Sequence, residues 1–169
     1  NAISFAQTQD GFVKKVSKAL DRMSELAILA QDVTKSDADR ALYNSEFTTL
    51  GGFITATASK TFNGVSLFSA TALSVTTDED GGTFSMTGVN LGAAAYTGAT
   101  GSGVATSAAA ATALTNVNTA ITQLGTDRAT VGANISRLNM TGEQLGVLKD
   151  NLTAANSRIK DVDVAEERT

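Results

Sequence analysis

The stretch LTNVNTAITQLGTDRATVGANISRLNMTGEQLGVLKDNLTAANSRI, residues 114–159, decides the fold. Val117, Leu124, Val131, Leu138, Leu145, Leu152 and Ile159 stand seven apart without exception, and Leu114, Ile121 and Ile135 fill the companion position in the first half. A residue repeat of seven places one apolar stripe along an α-helix, the signature of a coiled-coil or bundle seam. Held in register from Leu114 to Ile159, the helix is roughly 70 Å long at ~1.5 Å per residue. Its stripe must be buried, either on N-terminal helices of the same chain or on other chains. The companion position also carries Arg128, Gly142, Lys149 and Asn156, which suits packing against more than one neighbour.

Upstream, Ala2, Phe5, Phe12, Val16, Ala19, Met23, Leu26 and Ala30 follow an alternating 3,4 spacing, with Gln9 in the one gap, and predict a first helix. Val33–Ser36 breaks it. Ser36 followed by Asp37 and Asp39 offers an N-cap and favourable acidic charge for a second helix, which carries Tyr43, Phe47, Leu50 and Ile54. Gly51-Gly52 lowers the stability of that helix by about 1 kcal/mol per glycine relative to alanine. Phe62-Asn63-Gly64 is a turn signal. The alternating runs Leu73–Thr77 and Thr83–Thr87, on either side of Asp78-Glu79-Asp80-Gly81-Gly82, predict a β-hairpin. Five glycines in residues 88–103 predict a loop. The expected fold is mainly α: an elongated bundle of two N-terminal helices (residues 1–60) and one long C-terminal helix (107–169), with a β-hairpin and a short Gly-rich variable region (61–106) between them.

Composition limits the chemistry. The 169 residues hold no His, Cys, Pro or Trp, so a Cys/His zinc site, a disulfide, a thiol nucleophile and an imidazole base are all excluded. Seventeen acidic against thirteen basic residues argue against a nucleic-acid or anionic-membrane surface. No window has the ~20 consecutive apolar residues of a membrane span. Nor is there the basic and apolar pattern of a signal peptide. The many Ala and Thr side chains and few aromatics suit thin, closely packed helix seams rather than a bulky globular core. No cofactor, metal or catalytic site is expected.

Four local patterns have simpler readings than function. Asp78-Glu79-Asp80-Gly81 lacks the spaced ligands and terminal Glu of a calcium loop and reads as a solvated turn. The glycines of residues 98–103 lack the Lys-Ser/Thr of a phosphate loop. The glycosylation sequons at Asn134, Asn139 and Asn151 fall inside the long helix, and chance explains them in a Thr-rich chain. The cluster Arg158, Lys160, Asp161, Asp163, Glu166, Glu167 and Arg168 reads as a salt-bridged, solvated helix face rather than an acid/base pair.

Three stretches together resemble bacterial flagellin. Leu20-Asp21-Arg22-Met23-Ser24-Glu25-Leu26-Ala27-Ile28-Leu29-Ala30 is similar to the family's Leu-Gln-Arg-x-Arg-Glu-Leu-Ala-x-Gln run. Phe62-Asn63-Gly64 matches its turn. Residues 151–159, with Asp161, Asp163 and Glu166, match its C-terminal signature. Ser24 replaces the family's usual Arg, and Gly51-Gly52 replaces bulkier helix formers.

The resemblance implies the core rod domain of a structural filament subunit, not an enzyme, that assembles with copies of itself outside the cell after export by the flagellar secretion apparatus. It also implies a core fragment lacking the family's terminal coiled-coil segments, monomeric or weakly associating by itself because filament growth requires those segments. A host partner follows too: the flagellin-sensing Toll-like receptor, whose contact residues are matched by Arg22, Leu26 and Glu46. Nucleic acid and membrane are not expected partners. The alternatives are a hook–filament junction protein, or a surface-displayed relative acting as an adhesin or polysaccharide binder. The adhesin would want an aromatic-lined groove in residues 65–113, where only Phe68, Phe84 and Tyr96 stand.

Overall fold

The computed structural model describes residues 1–166, so Glu167 and Arg168 of the C-terminal charge cluster lie outside the described residues. Helix α1 spans Ala2–Gln31 and α2 spans Asp37–Ala58. Strands β1 (Thr61–Phe62), β2 (Val65–Ser66), β3 (Leu73–Thr76) and β4 (Thr83–Met86) follow, then α3 (Ala94–Thr100) and α4 (Ser107–Glu166).

The expected 3,4 stripe of α1 is its buried face, and a second stripe adjoins it. Ala6, Val13, Leu20 and Ala27, also seven apart, have no exposed surface. Two adjacent stripes widen the apolar face enough for two helical neighbours, α2 on one side and α4 on the other. The α1–α2 turn is tightly tied. Ser36 and Asp39 form a reciprocal capping box, each side chain bonding the other residue's backbone N–H. Arg40, almost fully buried, donates from Nε to the Ala30 carbonyl at 2.8 Å and from Nη2 to the Asp32 carbonyl at 3.0 Å. A cation thus bonds carbonyls at the end of α1, sharing that of Asp32 with the Lys35 N–H.

α4 runs antiparallel to α1, with Ser107 at its start donating to the Gln31 carbonyl at the end of α1. At ~1.5 Å per residue the 30 residues of α1 cover roughly 45 Å and the 60 residues of α4 roughly 90 Å. The stripe is accordingly buried at Val117, Leu124, Val131 and Leu138 but exposed at Leu145, Leu152 and Ile159. The heptad continues where α1 no longer lies alongside.

Residues 88–103 depart from the predicted loop. They contain α3, whose Tyr96 and Ala99 are buried, while Val89, Leu91 and Val104 join the core around it. α3 packs between α2 and α4, so α2 leans chiefly on α1 and α3. Gly51 makes that possible: a Cβ there would sit 3.3 Å from the Thr100 carbonyl oxygen. Tyr96 donates its hydroxyl to the Asp127 carboxylate, which also accepts from Gln123 at 3.0 Å.

The hairpin forms as predicted, β3 and β4 pairing antiparallel with Leu73 opposite Met86 and Thr76 opposite Thr83. A smaller hairpin joins it. Asn63 (φ 50°) and Gly64 (φ 79°) both take positive φ, as the tight turn of a two-residue hairpin requires, and Phe62 pairs with Val65. The larger hairpin is held to α4 by Asn134, which donates to the Thr87 carbonyl, and by the Arg137 guanidinium, 5.0 Å from the centre of the Phe84 ring.

Candidate interaction surface

Arg22 and Glu46 meet across the α1–α2 pair. Arg22 Nε donates to Glu46 Oε1 at 2.7 Å and Nη2 to Oε2 at 3.0 Å, a two-pronged contact, while Nη1 reaches Glu25 Oε2 at 3.0 Å. Both side chains are nearly half exposed. The Glu46 carboxyl is held below its usual range by the hydrogen bond from Arg22, and the Arg22 guanidinium is raised above its own by those from Glu46 and then Glu25. Exposed ion pairs contribute little to stability, typically below ~1 kcal/mol. What the pair supplies is a fixed, paired arrangement of charge on the surface.

Leu26, the third residue matched to the receptor contact, is fully buried in the α1 seam. It supports the helix beneath Arg22, and the accessible part of the trio is Arg22 with Glu46. Ser24, where the resemblance implies a lost cation, leaves Glu25 and Glu46 to share Arg22.

The distal half of α4 offers a different surface. Leu145, Leu152, Ile159, Val162 and Val164 are all at least 40% exposed, on the part of α4 that runs on beyond α1. The β3–β4 turn leans toward it at Glu79 and encloses an open cleft of about 550 Å³ floored by Leu145, Leu148 and Leu152. A second groove, about 310 Å³, lies between Phe5, Phe62 and the edge of β3. Among the described residues no group of His, Cys, Asp and Glu is arranged to hold a metal ion, and no helix is long and apolar enough to cross a membrane.

Known proteins share this fold. The pattern defining the "Bacterial flagellin N-terminal helical region" matches residues 1–72, and that of the "Bacterial flagellin C-terminal helical region" matches residues 114–169. The chain belongs to the bacterial flagellin family. Flagellin sequences similar to it include a "Flagellar filament 30.7 kDa core protein" of Treponema maltophilum, 28% identical over 99% of this chain and 65% of the relative. A "Flagellin" of Halalkalibacterium halodurans is 30% identical over 99% of this chain and 63% of the relative. The chain thus spans just under two thirds of the length of these curated relatives. The crystal structure of Bacillus cereus flagellin superposes with a TM-score of 0.73 at 27% identity, covering 83% of each chain. Residues 73–113, between the two matched regions, hold the larger hairpin and α3.

The sequence pointed to the α1 and α4 stripes and to Arg22 and Glu46, but not to Arg40, Gly51 or the Tyr96–Asp127 bond. A lone Arg in a polar turn, one of two glycines and a Tyr among glycines carry no periodicity to mark them.

Proposed function

We propose that this flagellin chain is part of a structural subunit of the flagellar filament, self-assembling for motility and without a catalytic role. The observation that carries this reading is the distal α4 stripe. A heptad seam that leaves its apolar residues on an unaccompanied helix suits a rod completed by protein neighbours. The names of the relatives, flagellin and flagellar filament core protein, support the same reading. In this reading the protein works outside the cell, delivered by the flagellar secretion apparatus, and a chain free of Cys suits passage unfolded through a channel. Electron microscopy of the full-length protein added to filament seeds tests it. Growth of the seeds is expected, and a Leu152→Asp variant should keep its helical circular dichroism yet add poorly. Seeds that never lengthen with the parent protein would sink the proposal.

The adhesin reading gains no support, since Phe68 and Tyr96 are buried and Phe84 is half-buried beside Arg137. We further propose that the exposed Arg22–Glu46 pair is the point at which the flagellin-sensing Toll-like receptor meets this chain, with Leu26 fixing the helix beneath it. The two-pronged geometry supports this, because a charged pair already held in place loses little freedom on binding. Binding of the receptor ectodomain to the parent and to an Arg22→Ala/Glu46→Ala double variant is the test. Weaker binding by the variant is expected, and equal binding would remove the pair from the interface.

A further inference from the structure

A small cavity adjoins the one buried side-chain atom left without a hydrogen-bond partner among the described residues, Oε1 of Gln9. Gln9 is 2% exposed, set in the α1 seam where an apolar residue would continue the spacing. Its Nε2 donates to the Leu67 carbonyl at 2.7 Å. Turning the amide over would bring Oε1 against that carbonyl and leave the amide protons without an acceptor, so the orientation is fixed by the bond it makes. The carbonyl oxygen then faces the interior with both lone pairs free, an arrangement that is unfavourable if nothing bonds to it.

The cavity measures about 10 Å³ and is bounded by Phe5, Gln9, Leu67, Ser69, Met86 and Gly88. That is the space of one water molecule centre. Gly88 holds it in shape from one side, since a Cβ there would fall 2.2 Å from the Ser69 carbonyl oxygen. No charged side chain lines the space, so neither a metal cation nor an anion finds a counter-charge. Ser69 Oγ accepts the Thr71 N–H at 3.2 Å, which leaves its hydroxyl proton to donate.

We propose that a single buried water molecule occupies this cavity as a built-in ligand, donating one proton to Gln9 Oε1 and taking its other partners from the Ser69 hydroxyl and the surrounding backbone. The water joins α1 to the segment after β2 and to the end of β4. It explains why a polar residue interrupts an otherwise apolar stripe: Gln9 reaches the Leu67 carbonyl directly and the rest of the segment through water. The site is independent of the assembly reading and concerns how the hairpin region is fixed to the rod.

A crystal structure of the protein at a resolution that orders internal waters, together with rotating-frame Overhauser spectra, tests it. One solvent peak within hydrogen-bond distance of Gln9 Oε1 is expected, with a cross-peak between water and the Gln9 amide protons. Gln9→Met, similar in length and without polar atoms, should lose the solvent peak from the cavity in its own crystal structure while keeping the helical spectrum. An empty cavity, a protein hydroxyl bonded directly to Oε1, or no cross-peak in the parent would overturn the proposal. The parent alone decides the matter if Gln9→Met does not fold.

Discussion

At the scale of single residues, the side chains that matter most are those that join elements. Arg40 ties the end of α1 to the start of α2 through two backbone carbonyls and, at 3.0 Å, Asp37. Hydrogen bonds to a charged group contribute about 1.5–3 kcal/mol, so Arg40→Ala should destabilise the protein by roughly 2–3 kcal/mol. Arg40→Lys should recover little, because an ammonium cannot present the same fork to carbonyls in different directions. Chemical denaturation of both variants checks this. The neighbouring glycines of α2 differ in the same instructive way. Nothing lies within 4 Å of a Cβ at Gly52, so Gly52→Ala should stabilise by about 0.5–1 kcal/mol through the lost backbone entropy of glycine. Gly51→Leu should destabilise, since its side chain would drive into the Thr100 backbone and lift α3. Thermal unfolding should move in opposite directions for the two.

At the scale of elements, α4 is one helix with two fates. Leu138 is buried, whereas Leu152, two heptads on, is 53% exposed. Leu138→Asp should cost several kcal/mol by placing a charge in the seam, while Leu152→Asp should stay within about 0.5 kcal/mol for the isolated chain. Equal effects on denaturation midpoints would mean that the distal half is covered as well. α3 is a short element of weak intrinsic preference, and its docking depends on Tyr96. Burial first, and then the bond to Asp127, push the Tyr96 hydroxyl well above its ordinary value. A group whose folded pKa is raised stabilises the fold fully below its unfolded value, about 10 for tyrosine, and that contribution is lost as pH rises beyond it. Stability should therefore fall above about pH 10 in the parent, and fall less steeply in Tyr96→Phe. Urea midpoints measured across that range provide the check.

At the scale of the whole molecule, acid should loosen the same turn that Arg40 secures. Asp32 is held low chiefly by the Thr34 hydroxyl, Asp39 by the Ser36 hydroxyl and Glu46 by Arg22. Depressed carboxylates stabilise the fold above their unfolded values near 4, and the contribution disappears as pH falls through the lower folded values. The melting temperature should thus decline from about pH 4 downward, with Asp39→Asn giving a flatter profile because its share is already gone. How much of this could be foreseen follows from the kind of signal each feature leaves. The sequence alone determined the two long helices, the Ser36 cap and the β3–β4 hairpin, because periodicity, capping and turn chemistry are local and repeat within a few residues. It also determined the absence of thiol and imidazole chemistry, which needs only the missing residue types. Tertiary structure decided the rest: that α3 forms among glycines, that Gly51 is the close crossing beneath it, and that Arg40, Gln9 and Tyr96 are buried with named partners. It decided as well that the stripe of α4 is covered up to Leu138 and open beyond. A heptad records that a helix face is apolar, but whether that face meets a neighbour depends on where other segments begin and end in space.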